Sequence, residues 1–207
     1  MEQNNNYSKI VRIAITGGPG SGKSQVLKYF KNCGAAIIDF DYLAKKAVEP
    51  ETKALYEIVE NFGKEILLQD KSLNRKLMRS IILNDKKKRK LLESIVHPEV
   101  FSLYYKQLEK FIKQNINIVI AEVPLLFEAG LESHFNKIIV VNIDQKLQIK
   151  RLTKRDDISI NDAISLIETQ IPLNKKIEKA DFVINNDLSI EDLKDNIQNL
   201  YNKLLSK

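Results

Sequence analysis

The sequence has very little cysteine and no long apolar segment. Its 207 residues include one cysteine, Cys33, so neither a disulfide framework nor a Cys-x-x-Cys centre can form within the chain. A lone cysteine is typical of a reducing compartment, and we interpret Cys33 as a small buried apolar residue at a helix end rather than a reactive thiol. The longest apolar runs, such as 118–121, are far too short to span a bilayer.

The amino-terminal residues also lack a secretory signal. They read MEQNNNYSKI and contain no apolar core, which a signal peptide requires. We therefore expect a soluble, cytoplasmic protein that has no membrane partner, with residues 1–7 as a loose tail.

Acidic residues are fewer than basic ones. Lysine and arginine together number 33, aspartate and glutamate 27, and the net charge is +6. This balance favours an anionic partner, which can be nucleic acid, a membrane surface or a phosphorylated metabolite. The basic run 86–90 is typical of a solvated helix face, with a phosphate or nucleic-acid contact as the alternative. The hydrophobic fraction of 43% is enough to form a core.

Short apolar runs alternate along the chain with segments of helical periodicity. The runs are typical of buried parallel strands, and they cover 10–16, 35–39, 116–121, 137–141 and 181–184. Helices are expected at 24–32 and 147–154, and two more begin at Ser159 and Ser189, each with an aspartate three residues later as its capping-box partner. This alternation predicts an α/β fold with a parallel five-stranded sheet.

A long segment without a strand separates the second and third predicted strands. Residues 41–114 show the pattern of consecutive helices, at about 42–48, 52–62, 74–83, 86–95 and 98–114. His97-Pro98 is expected to open the last of these helices, because proline is favoured at an early helical position. We therefore expect a helical insertion into the α/β core.

A glycine-rich motif follows the first predicted strand. The segment 17–24, GGPGSGKS, matches G-x-x-x-x-G-K-[ST] between a strand and a helix. Its Lys23 is expected to reach the β- and γ-phosphates of a nucleotide, and Ser24 to ligate Mg²⁺ through its hydroxyl. Backbone N–H groups of the loop are expected to surround the phosphate oxygens, at Gly18, Gly20, Ser21 and Gly22.

Several classes of P-loop protein are disfavoured by the remaining residues. A GTPase needs an Asp-x-x-Gly switch and a guanine-reading Asn-Lys-x-Asp, and the chain has neither. A motor or DNA-processing ATPase usually has an apolar strand that ends in acidic residues; 116–122 is a weak match, and 207 residues are few for that class. A small-molecule kinase fits better, with a P-loop core, a helical acceptor-binding lobe and a lid that supplies arginines.

An ordered series of short motifs resembles the dephospho-coenzyme A kinase family over residues 10–205. The series is TGGPGSGKS at 16–24, IIDFD at 37–41, FG at 62–63, LNRKLMR at 73–79, HP at 97–98, VPLLFE at 123–128, LQIKRLTKRD at 147–156, Gln170, AD at 180–181 and Asn185. Each piece alone is weak evidence, and their order and spacing together are specific.

The resemblance implies a reaction and a domain organisation. ATP would phosphorylate the ribose 3′-hydroxyl of dephospho-CoA to give CoA and ADP, the last step of coenzyme A synthesis. A single kinase domain at 8–207 would consist of a core at about 8–40, 115–145 and 180–207, a CoA-binding lobe at 41–114 and a lid at 146–179. A kinase of another small molecule, such as a nucleoside monophosphate, or a nucleic-acid-binding ATPase are the alternatives.

The resemblance also implies roles at the acceptor site. Asp41 would be the catalytic base, with Asp39 beside it in acceptor binding; the alternative for Asp41 is an N-cap of the helix that starts near Tyr42. Arg75 and His97 would bind the acceptor, although a surface salt bridge and a core or capping histidine are the alternatives.

Residues on the expected lid would serve ATP. Arg151 would stabilise the transferring phosphoryl group, and Arg155 and Gln170 would bind ATP; a polar stripe on an ordinary surface helix is the alternative for the arginines. Gln25, also assigned to ATP binding, stands where relatives often have threonine. Leu173 and Lys176 fall in a region where relatives often carry arginine. Glu122 and Glu128 are possible second members of the metal shell.

Overall fold

The computed structural model describes residues 7, 9–83 and 85–206, and the chain divides into two compact units. The first unit comprises Met1–Ile38 and Lys110–Lys207, and the second comprises Asp39–Glu109. The expected tail at 1–7 falls outside the described residues except for Tyr7, which is buried.

The first unit is built around a five-stranded parallel sheet. Its strands are β1 (Val11–Thr16), β2 (Ala36–Asp39), β3 (Ile118–Glu122), β4 (Lys137–Asn142) and β5 (Phe182–Asn185). They lie in the order β2-β3-β1-β4-β5, and β1, at the centre, pairs in parallel with β3 and β4. The predicted α/β fold is therefore confirmed.

Nine α-helices connect or follow these strands in the described part of the chain. They are α1 (Lys23–Asn32), α2 (Phe40–Ala47), α3 (Lys53–Phe62), α4 (Arg75–Leu83), α5 (Lys86–Lys113), α6 (Gln145–Asp156), α7 (Ile160–Glu168), α8 (Leu173–Ile177) and α9 (Ile190–Leu205). The short helix α8 was not predicted. None of the helices in the described ranges combines the length and the apolar character that crossing a membrane requires.

The core of the first unit lies where the sheet packs against α1 and α9. Inward side chains of the central strands, such as Ile13 and Ile139, are fully buried. Helix α9 presents Leu193, Ile197 and Leu204 to the same cluster, at spacings that place them on one helix face. The burial of this apolar stripe is what ties the last helix to the sheet.

Both serines predicted to start helices are N-caps, and each also bonds to the predicted aspartate partner. The Ser159 hydroxyl accepts a hydrogen bond from the backbone N–H of Asp162, and Ser189 does the same for Asp192, each over 3.1 Å. Each aspartate carboxylate accepts a bond from its serine hydroxyl in return. These contacts satisfy N–H groups that the first turn of a helix leaves without a partner.

The second unit is helical, and one prediction about it is wrong. Helix α5 runs without interruption from Lys86 to Lys113 with Pro98 inside it, so His97-Pro98 does not open a new helix. Proline there removes one backbone hydrogen bond and costs about 3 kcal/mol. Buried Ile95 and Phe101 lie on either side of the proline, because the apolar stripe of this helix continues through it and favours a single long helix.

An aromatic cluster forms the centre of the second unit. Phe40 of α2 meets Phe101 and Tyr104 of α5 with ring centroids 5.7 and 5.2 Å apart. The tilted and edge-to-face arrangements are favourable for aromatic pairs. This packing holds α2, and therefore the residues of its first turn, against α5.

Candidate active site

The loop between β1 and α1 has the backbone conformation that the glycine motif predicts. Gly20 and Gly22 have φ of 73° and 85°, values that side-chain-bearing residues rarely adopt. Gly22 is also the N-cap of α1, so the loop leads directly into a helix N-terminus. N–H groups at such a terminus attract phosphate oxygens.

Lys23, the first residue of α1, folds back over the loop. Its Nζ donates hydrogen bonds to the carbonyl oxygens of Gly17 and Gly18, over 2.9 and 3.1 Å. The ammonium group is thereby held beside the backbone that would surround a phosphate chain. A positive charge at this point adds to the attraction of the helix N-terminus for an anion.

Two buried side-chain amides also donate hydrogen bonds to carbonyl groups of the loop. Gln148 of α6 donates from Nε2 to the carbonyl oxygen of Pro19 over 2.7 Å, and Asn186, which follows β5, donates from Nδ2 to that of Ser21, also over 2.7 Å. Both side chains are 3% exposed. The sequence analysis gave no role to Gln148, which lies in the motif at 147–156, and it missed Asn186, for which a polar residue directly after a strand was the available signal.

The loop opens into a cationic cavity of about 590 Å³. Lysines and arginines dominate its charged lining, and Glu122 at the end of β3 is its acidic member; the lining residues are Pro19, Gly20, Gly22, Lys23, Ser24, Glu122, Arg151, Lys154 and Arg155. Such a concentration of positive charge favours a polyanionic ligand. The volume is within the range of small-molecule sites.

The two arginines of α6 have different partners in this structure. Arg151 donates from Nη2 to the backbone carbonyl of Asn186 over 3.1 Å. Arg155 forms a bidentate pair with the adjacent Asp156, both bonds being 2.7 Å. These hydrogen bonds, followed by the attraction between the charges, lower the pKa of Asp156, and the same bonds are the largest cause that raises the pKa of Arg155.

The two aspartates of the IIDFD motif occupy different positions. Asp39 ends β2 and caps α2, and its Oδ1 accepts a bond from the backbone N–H of Tyr42 over 3.0 Å. Asp41 lies within the first turn of that helix. The N-cap that the sequence analysis considered for Asp41 is therefore Asp39.

The other expected acceptor residues also lie in the second unit. Arg75 begins α4, is exposed, and donates from Nη2 to the Lys45 carbonyl over 3.3 Å. His97 is half-buried in the middle of α5. No salt bridge to Arg75 occurs among the described residues.

Gln170 belongs to a buried polar cluster rather than to the lining of the phosphate cavity. Lys176 of α8, 1% exposed, donates to Gln170 Oε1 over 2.9 Å and pairs with Glu128 over 2.8 Å. Glu128 also accepts a bond from the backbone N–H of Ile171. Gln170 lines a separate cavity of about 450 Å³ between the start of α6 and α8.

These contacts separate the two possible acidic metal ligands. Glu128 is engaged by Lys176, whereas Glu122 lines the phosphate cavity together with Ser24. A hydroxyl and a carboxylate are hard oxygen donors that suit Mg²⁺, which binds through one or two protein ligands plus substrate phosphates. Gln25 lies half-buried on α1 and donates from Nε2 to the Tyr29 hydroxyl over 3.4 Å.

A phosphate loop after the central strand of a parallel sheet and arginines on a helix that lines the same cavity define a P-loop kinase. Comparison with known proteins resolves the family. The chain belongs to the dephospho-CoA kinase family, whose model matches residues 11–192.

Individual relatives agree with this membership. The dephospho-CoA kinase of Listeria monocytogenes is 42% identical over 179 residues, which cover 86% of this chain and 90% of the relative. A solved structure from Thermus thermophilus has a TM-score of 0.81 at 28% identity and covers 94% of this chain and 98% of its own. The dephospho-CoA kinase from Campylobacter jejuni has a TM-score of 0.68 at 28% identity and covers 93% and 96%.

Proposed function

We propose that this enzyme transfers the γ-phosphoryl group of ATP to the ribose 3′-hydroxyl of dephospho-CoA, giving CoA and ADP. The observation that carries the proposal is the cavity in which the phosphate loop and two arginines of α6 meet, in a chain of this family. The hydroxyl oxygen forms the new bond to the γ-phosphorus, the bond to the bridging β–γ oxygen breaks, and ADP departs with that oxygen.

The loop residues bind and orient the triphosphate. Backbone N–H groups of Gly18, Gly20, Ser21 and Gly22 surround phosphate oxygens, and Lys23 neutralises charge on the β- and γ-phosphates. Ser24 and Glu122, which both line the cavity, are the residues that would hold Mg²⁺. The ion supplies charge neutralisation across the β- and γ-phosphate oxygens when it is bound.

The arginines of α6 act on the group in transfer. Arg151 stabilises negative charge on the equatorial oxygens of the phosphoryl group, and Arg155 contacts the phosphate chain. In this role residues 146–179 constitute the lid, with Gln170 and Gln25 on the ATP side. The pair between Arg155 and Asp156 must open, or share the guanidinium, when Arg155 binds phosphate.

The acceptor is bound by residues of the helical lobe at 41–114 and by Asp39. Asp41 accepts the proton of the 3′-hydroxyl as the nucleophile forms its bond. Arg75 and His97 bind anionic and polar groups of dephospho-CoA. In this proposal Asp39 has two roles. It caps α2, and it helps to bind the acceptor from a position two residues before the base, Asp41.

The direct test is incubation of the folded protein with ATP, Mg²⁺ and dephospho-CoA, with CoA measured as the product. We expect CoA to accumulate in proportion to ADP, and only when the divalent ion is present. A parallel screen of nucleoside monophosphates is the control for acceptor choice. Phosphorylation of a monophosphate without CoA formation contradicts the proposal.

A second arm tests for a nucleic-acid-dependent ATPase. Such an enzyme hydrolyses ATP faster when nucleic acid is added, with an affinity that falls steeply with salt; we expect neither effect. We also propose a cytoplasmic location, which the single Cys33 supports because it suits a reducing compartment.

A further inference from the structure

We propose that Gln148 and Asn186, here called the amide pair, are positioning residues that aim the N–H groups of the phosphate loop at the nucleotide without touching it. The inference deepens the proposed function, because it concerns the ATP side of the same site. It rests on three observations: the two hydrogen bonds to the loop, the burial of both side chains, and the lack of room for larger residues in the loop.

The hydrogen bonds set the orientation of two peptide groups. In a planar trans peptide the carbonyl of one residue and the N–H of the next point in opposite directions. The bond from Gln148 to the Pro19 carbonyl therefore directs the N–H of Gly20 away from the Gln148 amide. The bond from Asn186 to the Ser21 carbonyl directs the N–H of Gly22 in the same manner, and both glycines line the cationic cavity.

Burial makes these two bonds costly to lose. Each amide residue is 3% exposed; Ser21, which accepts from Asn186, is fully buried, and Pro19, which accepts from Gln148, is half-buried. The loss of a hydrogen-bond donor destabilises the protein far more when the carbonyl is buried than when it is exposed. A loop that rotated the peptide at Pro19 or Ser21 would leave such groups without partners, and the amide pair therefore opposes that rotation.

Close packing restricts the loop further. A Cβ atom added to Gly18 would lie 2.6 Å from Nε2 of Gln148, and one added to Gly22 would collide with Nδ2 of Asn186. A larger residue at Gly18 or Gly22 would therefore displace one of these amides, and Gly22 is favoured in addition by its φ of 85°. Arg151 extends the arrangement, since it donates to the backbone carbonyl of Asn186 and lines the cavity.

The neutral character of the amide pair suits this task. An amide N–H₂ group donates to a carbonyl without carrying charge, so it does not compete with the loop for the phosphates. A lysine or arginine at either position would place a cation behind the loop. The positive charges of the site remain on the cavity side, at Lys23 and Arg151.

The first test replaces the donor and keeps the length of the side chain. In Gln148→Met we expect the affinity for Mg²⁺·ATP, measured by direct titration, to fall about tenfold, the size of effect that one lost buried hydrogen bond produces. The KM for ATP should rise equally, and the KM for dephospho-CoA should stay within about twofold of wild type, since the acceptor does not depend on the loop. The control is Lys150→Met, an exposed position of the same helix that lines neither cavity, which should change neither constant.

A second variant tests the donor itself. Gln148→Glu has nearly the same shape, but its carboxylate cannot donate to the Pro19 carbonyl, whereas the protonated acid can. Affinity relative to wild type should therefore recover as the pH falls through the pKa of the introduced glutamate, which burial raises. A role in stability alone moves the unfolding temperature and gives no such recovery of nucleotide affinity in the folded protein.

Asn186→Leu repeats the test at the independent second position, with folding checked by circular dichroism. Weaker nucleotide binding there and in either Gln148 variant supports the inference. Nucleotide affinity within twofold of wild type in the folded variants overturns it, whatever the unfolding temperature. Titration with ATP does not depend on the acceptor, so a wild-type protein that binds ATP but makes no CoA defeats the proposed function and leaves this test valid.

Discussion

At the scale of single residues, some side chains of the site contribute charge and others fix the local geometry of the backbone. Lys23 supplies charge, and its bonds to the Gly17 and Gly18 carbonyls keep that charge beside the loop. Asp39 supplies geometry, because it caps α2. Asp41 of the same motif lies in the first turn of that helix. Asp39 and Asp41 can therefore have different functions, which substitution can separate.

Lys23→Ala should lower the rate of CoA formation by roughly 100-fold or more, because a charge aimed at the transferring phosphates is lost. The fold should survive, since the Gly17 and Gly18 carbonyls that Lys23 Nζ contacts lie in a loop and not in a helix or strand. Steady-state kinetics and circular dichroism measure the two effects. Lys28→Ala, an exposed lysine of the same helix, is the control; comparable losses in both variants contradict a specific role for Lys23.

Asp41→Asn should lower turnover by about 100-fold, the lower limit of general-base effects. The reason is that in a loose transition state the attacking hydroxyl has transferred little of its proton to the base. ATP affinity should stay unchanged. Asp39→Asn is the comparison variant: asparagine caps a helix as well as aspartate does, so we expect its turnover to fall less than that of Asp41→Asn. Turnover across a Mg²⁺ series measures both variants. Wild-type turnover of Asp41→Asn places the base at another residue.

At the scale of elements, caps and apolar stripes account for where most helices begin and run. Ser159 and Ser189 start α7 and α9 through bonds visible in the sequence as capping boxes. Helix α5 differs, because its buried apolar stripe continues past Pro98 and the helix is not interrupted there. Local signals thus decide a helix boundary only where tertiary packing does not oppose them.

Pro98→Ala should stabilise the protein by about 1–3 kcal/mol, because alanine restores a backbone donor in the middle of α5. Chemical unfolding measures the free energy. Pro50→Ala lies outside any helix and should be neutral or slightly destabilising, since it only increases the freedom of the unfolded chain. Destabilisation by Pro98→Ala would show that the proline shapes α5 for packing.

At the scale of the whole molecule, distant segments meet to complete the ATP side of the site. The loop after β1 receives one amide from α6 and one from the segment after β5. The segment after β3 is joined to α8 through the pair of Glu128 and Lys176. Both ends of the proposed lid, which lies within the first unit, therefore bond to segments that follow strands of the sheet.

Lys176→Met should lower the free energy of unfolding by about 1–3 kcal/mol, because the partly exposed Glu128 loses its cation and water compensates only part of that loss. The double variant Lys176→Met, Glu128→Leu should recover part of that loss, since no unpaired charge then remains. Urea unfolding of the single and double variants measures the coupling. Losses that simply add would show that the two side chains do not interact energetically.

The sequence by itself determined the parallel sheet, the phosphate loop and the family. These features depend on contiguous signals: apolar strands of fixed period, glycines at positions of positive φ, and caps three residues from their partners. The helical character of 41–114 was predictable for the same reason. The boundary at His97-Pro98 was not, because burial along α5 outweighed a local preference.

Only the tertiary structure decided which residues act together. Gln148 and Asn186 are 38 positions apart in the sequence, and their common contact with the loop exists because β4, β5 and β1 bring those segments to one place. Similarly, Glu122 and Glu128 are equivalent candidates in sequence, and the buried ammonium of Lys176 separates them. Pairing across a fold depends on strand order and burial, and neither is encoded at any single position.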